Sequence, residues 1–334
     1  MRPSTPSSKR PVSRRAKKAS CLSGASFRLF LHLAIYAFFC QIAVLLLAQT
    51  VRIGNGGVLP TLAKFGIQFG IMYGAGIPLY LLISKNSPKS APEKHPLKFW
   101  HYLLLIPCLL CVMYAGNLIG TLFTALVAAL SGIDLQSTTI QQNVYGEYGY
   151  IMVAAAVLLA PVAEELLFRK VLLDRIRPYG EGRAIFLSGL FFGLFHGNFT
   201  QFFYSALTGF LLAYVYVRTG RVRNTIILHM TVNFFGGALP YFVDAESIIK
   251  ELNDRNLSAI FSNTPFLFYM ISVLSLAFVG LILLIVFRKD FRLEKETEKP
   301  LPEGTARYAV TANIGFWAMA LFCVFDFILQ FAQK

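Results

Sequence analysis

Apolar residues run in long blocks near 27–49, 58–83, 100–130, 149–168, 184–196, 200–217, 224–240, 265–287 and 308–332, with polar residues gathered between them. A helix needs about 20 residues to cross the hydrocarbon of a bilayer, so most blocks qualify outright. The fifth and seventh are short and read as part-length or tilted segments. The pattern predicts an all-α, polytopic transmembrane helix bundle of nine segments, with eight the alternative. Residues 1–26 read as a basic, disordered cytoplasmic tail, 27–130 as N-terminal transmembrane helices, 149–240 as a central core, and 265–334 as C-terminal transmembrane helices. No polar stretch is long enough to build the core of a second, soluble domain.

Composition supports that class. Of 334 residues 56% are hydrophobic and 14% charged, against about 45–50% and about 25% in soluble domains. The net charge of +14 would suit nucleic acid, but its placement argues otherwise. With the N-terminus in the cytoplasm and the segments alternating, Lys and Arg fall in the tail, in 84–98, 169–183, 218–223 and 288–307. The opposite side has none in 131–148 and only Lys250 and Arg255 in 241–264. Such asymmetry is a topology signal with some attraction to anionic lipid, so the bilayer is the expected partner and nucleic acid is not. Cys108 and Cys111 form a CxxC in an apolar helix and read as small packing residues rather than a redox pair. Spacings such as Gly66 and Gly70 read as close helix packing. His32 reads as structural, while Lys64 and Asp326 have room to snorkel or to pair.

Three polar groupings inside the blocks need another explanation, because an ionised group near a bilayer centre costs at least ~2.5 kcal/mol on insertion scales. In LAPVAEELLFRK, Glu165 and Arg169 are four apart, acid first, and share a helix face. Glu164 points about 100° away and has no such partner on its own helix. Pro161 removes one backbone donor just before them. LSGLFFGLFHGNFTQ ends an apolar block with His196, one turn after Phe192. TIILHMTVNFFGG puts His229 and Asn233 on one face of the seventh segment.

At ~1.5 Å per residue, Glu164 lies about 22 Å from the outer start of its segment. From the cytoplasmic side His229 is about 8 Å in, Asn233 about 14 Å and His196 about 18 Å. The four residues can therefore meet around one water-filled cavity in the cytoplasmic half or near mid-membrane. There, a carboxylate acts as base toward water, a histidine holds that water, and an imidazole with an amide offers donors to an oxyanion. That is peptide-bond hydrolysis by activated water, without a covalent intermediate and without a cofactor. The alternative chemistry puts zinc on Glu164, His196 and His229; the HExxH pattern that would favour it is absent.

EELLFR, FFGLFH and HMTVN resemble, in order, the EExxxR, FxxxH and HxxxN motifs of the CPBP family. These are the CAAX-protease and bacteriocin-processing membrane proteins, also called the abortive-infection or type II CAAX prenyl endopeptidase family. The resemblance covers roughly 150–240, about a quarter of the chain, and it implies an intramembrane glutamic endopeptidase. By motif position Glu164 would activate water with His196, His229 and Asn233 would form the oxyanion site, and Glu165 and Arg169 would support them. Lys170 stands where many bacterial members have glycine, a departure that leaves the chemistry unaffected.

The expected protein is thus a multi-pass peptidase of a bacterial plasma membrane, cutting a peptide or a membrane-protein tail near the cytoplasmic face. In a bacterial setting prenylated tails are set aside, and leader peptides, bacteriocins or signalling peptides are the substrates that family analogy offers. Two other classes compete. A non-catalytic scaffold or self-immunity protein would use the polar cluster for packing alone. A transporter would line a path with it, but no internal repeat or pair of broken helices is evident.

Overall fold

The computed structural model describes residues 35, 39, 57–86, 89–132, 149–253, 258–293 and 314–332. The expectations for the tail, for the first apolar block apart from Ile35 and Phe39, for His32 and for the side chains of Lys64 and Asp326 fall outside these residues. The long apolar blocks become α1 (Val58–Ile83), α2 (Phe99–Ser131), α3 (Gly149–Tyr179), α5 (Phe199–Thr219) and α10 (Thr264–Val286), each long and apolar enough to cross a membrane. Between α3 and α5 stands α4 (Glu181–Leu194), whose 14 residues are too few to span. The seventh block is longer than its apolar core: α6 (Val222–Asn233) runs on through a π turn, Phe234–Ala238, into α7 (Leu239–Phe242). Two short helices, α8 (Ala245–Asn253) and α9 (Ser258–Ser262), precede α10, and α11 (Ile314–Ala332) closes the described chain. No strand occurs among the described residues. The protein is a multi-pass membrane helix bundle.

Lipid tails are as apolar as leucine, so helices in a bilayer associate by close packing rather than by excluding water. Small residues provide it here. α5 is the central helix, gripped between α4 and α2. A Cβ at Gly116 or Gly120 of α2 would lie 2.5 Å from the α5 backbone, at Tyr204 and Thr200 respectively. Gly189 and Gly193 of α4 admit Phe210, Ala206 and Phe202 of α5 in the same way. α10 docks on α2 through Gly280, where a Cβ would come 1.9 Å from the Pro107 carbonyl oxygen. By contrast nothing approaches Gly66 or Gly70 within 4 Å. Gly66 and Gly70 meet no facing helix among the described residues.

The packing carries a prediction. Gly280→Ala has to displace a backbone carbonyl and should lower stability by ~1–3 kcal/mol, the usual cost of overpacking. Gly66→Ala meets open space among the described residues and should change stability by less than ~0.5 kcal/mol. Thermal unfolding of the two variants in one detergent compares them directly.

One end of the bundle collects the basic segments. Segment 89–98 folds over the ends of α3 and α5, with Ser90 N–H on Asp174 O at 2.7 Å and His95 N–H on Thr219 O at 2.9 Å. Arg177 donates to Ser90 Oγ at 2.9 Å, Arg218 pairs with Glu181, and Tyr214 Oη donates to Asp290 O at 3.2 Å. The four Lys- and Arg-rich stretches, 84–98, 169–183, 218–223 and the start of 288–307, therefore share this end. At the opposite end the described residues carry Lys250.

Candidate active site

α3 is built around Pro161. The Ala160 N–H reaches back five residues to Ala155 O, making a π turn over Ala155–Leu159. Pro161 has no N–H, so the Ala156 carbonyl has neither its i+4 nor its i+5 donor within the helix. A carbonyl without a partner inside a bilayer costs several kcal/mol. Asn233 meets it: its Nδ2 donates to Ala156 O at 2.9 Å. The proline just before the first motif thus creates the acceptor that anchors the asparagine of the third. A second π turn, Leu166–Leu173, follows the glutamates, and a third, Phe234–Ala238, follows Asn233 directly. π turns of this kind gather at functional sites.

Glu165 and Arg169 pair as their spacing predicts. Arg169 Nε and Nη2 donate to Glu165 Oε2 and Oε1 at 2.9 and 3.2 Å, with both side chains fully buried. Arg169 Nη1 donates to Ser188 Oγ at 2.7 Å, and Ser188 in turn donates to Phe168 O at 3.0 Å. His229 completes the group, with Nδ1 3.1 Å from Glu165 Oε1. A carboxylate only accepts, so Nδ1 carries the proton and Nε2 turns toward Glu164, 3.7 Å from its Oε2.

Glu164 has no partner on its own helix, and finds one from α1: Tyr73 Oη donates to Glu164 Oε1 at 3.0 Å. Tyr73 sits in a further π turn, Gly70–Ala75. Sequence reading missed it, since a tyrosine in an apolar block 91 residues away gives no local signal.

His196 lies just past the end of α4, not within it as the apolar block suggested. The reason is Gly197, whose φ of +65° reverses the chain. Asn198 then caps α5, with Oδ1 accepting from Gln201 N–H at 2.8 Å and Nδ2 donating to His196 O at 2.9 Å. His196 Nδ1 lies 2.8 Å from Phe192 O. A carbonyl also only accepts, so the proton is on Nδ1 and the Nε2 lone pair is exposed to the cavity. Phe192 was read only as a motif position. Its ring stands edge-on to both histidines, with centroids at 5.1 and 5.4 Å, and lies 5.2 Å from the Arg169 guanidinium.

Glu164, His196, His229 and Asn233 all line one cavity of ≈ 890 Å³ between α2, α3, α5 and α6. Glu165 and Arg169 lie behind it, and Lys170 is turned aside to Asp174 and Tyr216 at 2.9 and 3.1 Å. The structure brings together the four residues that the sequence placed on three segments. Among the described residues no group of three His, Cys, Asp or Glu side chains has an arrangement that would hold a metal ion.

Fold and site define a class: a multi-pass helical membrane protein with a glutamate and two histidines facing one cavity. Comparison with known proteins gives the particulars. Residues 147–235 match the family model described as Type II CAAX prenyl endopeptidase Rce1-like, so the resemblance carried by the three motifs holds. CAAX prenyl protease 2 of Homo sapiens is 32% identical over 100 residues, 24% of this chain and 30% of the relative. The putative membrane peptidase YdiL of Bacillus subtilis is 27% identical over 88 residues, 25% of this chain and 35% of the relative. UPF0177 protein YxdF of Lactococcus lactis is 30% identical over 88 residues, 26% of this chain and 49% of the relative. The chain thus spans less than half the length of the curated relatives it matches. No solved structure matches significantly. The matched stretch contains every motif residue, whereas Tyr73 and the α2 wall lie outside it.

Proposed function

We propose that the protein is an intramembrane endopeptidase in which Glu164 and His196 activate water against a peptide carbonyl. The observation that carries this reading is the convergence of Glu164, His196, His229 and Asn233 on one cavity. A water molecule has two protons to give. The Glu164 carboxylate and the His196 Nε2 lone pair are two acceptors, so a water held by both presents its own lone pairs to the substrate carbon. As Glu164 takes one proton, the new C–O bond forms and charge moves to the carbonyl oxygen. The Asn233 amide has a second N–H beyond the one spent on Ala156 and can donate it there. His229 can donate from Nε2 only when doubly protonated, because Nδ1–H is committed to Glu165; the carboxylates of Glu164 and Glu165 then stand beside it as counter-charges. Collapse of the intermediate breaks the C–N bond, and the proton held by Glu164 passes to the leaving amine.

The substrate on this reading is a peptide or membrane-protein segment, and the setting a bacterial plasma membrane; the likenesses to the B. subtilis and L. lactis proteins support the latter. The reaction needs no cofactor. The test is a proteomic comparison of membranes holding wild type or Glu164→Ala, scored for peptides whose new termini vanish with the variant. Repeating it with a chelator distinguishes the water mechanism, which is unaffected, from the zinc alternative, which is abolished.

Tyr73 enters this mechanism as a positioning residue that fixes one carboxylate oxygen of Glu164. Tyr73→Phe keeps the ring and removes the hydroxyl. It should lower kcat by ~10-fold with KM unchanged, as expected for a group that orients a general base. Steady-state kinetics on the substrate found by proteomics measures the split.

A further inference from the structure

Asn233 ends α6 and is followed at once by the π turn Phe234–Ala238. That turn repeats the arrangement around Pro161. The Leu239 N–H reaches back five residues to Phe234 O, and the next residue, Pro240, has no N–H. The Phe235 carbonyl therefore has neither its i+4 nor its i+5 donor within the helix, and such an orphan is costly inside a bilayer. Two tyrosines from other helices meet it. Tyr269 Oη of α10 donates to Phe235 O at 3.1 Å. Tyr114 Oη of α2 lies 2.9 Å from Tyr269 Oη and 3.4 Å from the same carbonyl. Two hydroxyl protons serve three contacts. The shorter distances make a chain, in which Tyr114 donates to Tyr269 and Tyr269 to the carbonyl. α2 comes this close because the turn has a glycine where the helices meet: a Cβ at Gly236 would stand 2.9 Å from Met113 Sδ.

We infer that Tyr114 and Tyr269 are a positioning pair for Asn233, holding from outside the helix the π turn that aims its amide. Without their hydroxyls the carbonyl's ready donor is the Leu239 N–H, its i+4 partner in the α register. Taking that bond removes the extra residue of the π turn, and rotates Asn233 by up to about 100° relative to α7. The pair thus does for the carbonyl just after Asn233 what Asn233 does for Ala156 O. The amide is fixed from both sides. Neither tyrosine lies in the stretch 147–235 that matches the family model. That Asn233 serves an oxyanion rests on the endopeptidase reading, whereas the hold of the tyrosines on its turn does not.

The test is a mutant cycle on the full chain: wild type, Tyr114→Phe with Tyr269→Phe, Asn233→Ala, and all three changes together. Kinetics on the substrate found by proteomics and thermal unfolding in one detergent are measured on each. Either tyrosine alone still reaches the carbonyl, so each single change should cost less than ~3-fold in kcat. The pair should lower kcat by ~10–100-fold with KM unchanged, as for a misplaced oxyanion donor. In the Asn233→Ala background the same pair should cost less than ~3-fold further, because no amide is left to aim. Unfolding should show the same coupling: the midpoint loss caused by Asn233→Ala becomes at least ~2 °C smaller once the hydroxyls are gone. Equal losses of kcat with and without Asn233 would make the pair a general tie between helices and overturn the proposal. An unchanged kcat in the paired variant would overturn it too. Coupling in the unfolding cycle with no cleavage by any of the four proteins keeps the tyrosine clamp and sinks the peptidase reading. Additive unfolding losses with no cleavage sink both.

Discussion

Glu164→Gln is expected to reduce cleavage by ~10³-fold or more while the protein inserts and folds as wild type. The change is isosteric, and the carbonyl oxygen of the introduced amide still accepts from the Tyr73 hydroxyl that now holds Oε1. What disappears is a base with room for a proton, because an amide does not take one from water near neutral pH. Glu164 is not part of the fully buried Glu165–Arg169 pair, and the His229 ring 3.7 Å from its Oε2 is uncharged while only Nδ1 carries a proton. Turnover by purified wild type and variant, with thermal unfolding beside it, is the measurement. Loss of activity at unchanged stability is the peptidase outcome. Full activity would sink the proposed mechanism, and loss of stability with no activity in either protein would favour the scaffold reading.

The opposite pattern is expected for the neighbouring ion pair. Arg169→Met should destabilise by ~3–5 kcal/mol, because removing one partner of a fully buried pair leaves the other charge uncompensated. Arg169 also holds Ser188 on α4 and faces the Phe192 ring, so its loss loosens the element that ends at His196. The double variant Glu165→Leu, Arg169→Met tests the cause. Replacing both charges removes the uncompensated ion, so the double variant should be more stable than Arg169→Met alone. It should still be inactive, since His229 then has no acceptor for Nδ1–H. Unfolding midpoints of the two proteins, measured in the same detergent, decide the sign. Adjacent glutamates in EELLF are thus expected to separate cleanly, one into chemistry and one into structure.

Much of this was legible along the chain. Apolar blocks of about 20 residues name membrane helices because a bilayer has a fixed thickness. The i, i+4 spacing of Glu165 and Arg169 names a pair because helix geometry is periodic. Three ordered motifs pointed to Glu164, His196, His229 and Asn233, and all four line the cavity. Where local rules reach less far, the reading slipped. His196 was assigned to a helix that ends two residues earlier, at Leu194, ahead of the Gly197 reversal.

The sequence by itself determined the membrane class, the helix pairings of charge and the side on which basic residues collect, since each follows from periodicity or from position along one segment. The tertiary structure alone decided what meets across segments. It supplied Tyr73 to Glu164 from α1, gave the orphaned Ala156 carbonyl to Asn233, and set Phe192 between two histidines and an arginine. Contacts between helices depend on rotation and offset about each axis, and a one-dimensional pattern carries the face of a helix but not the helix that it faces.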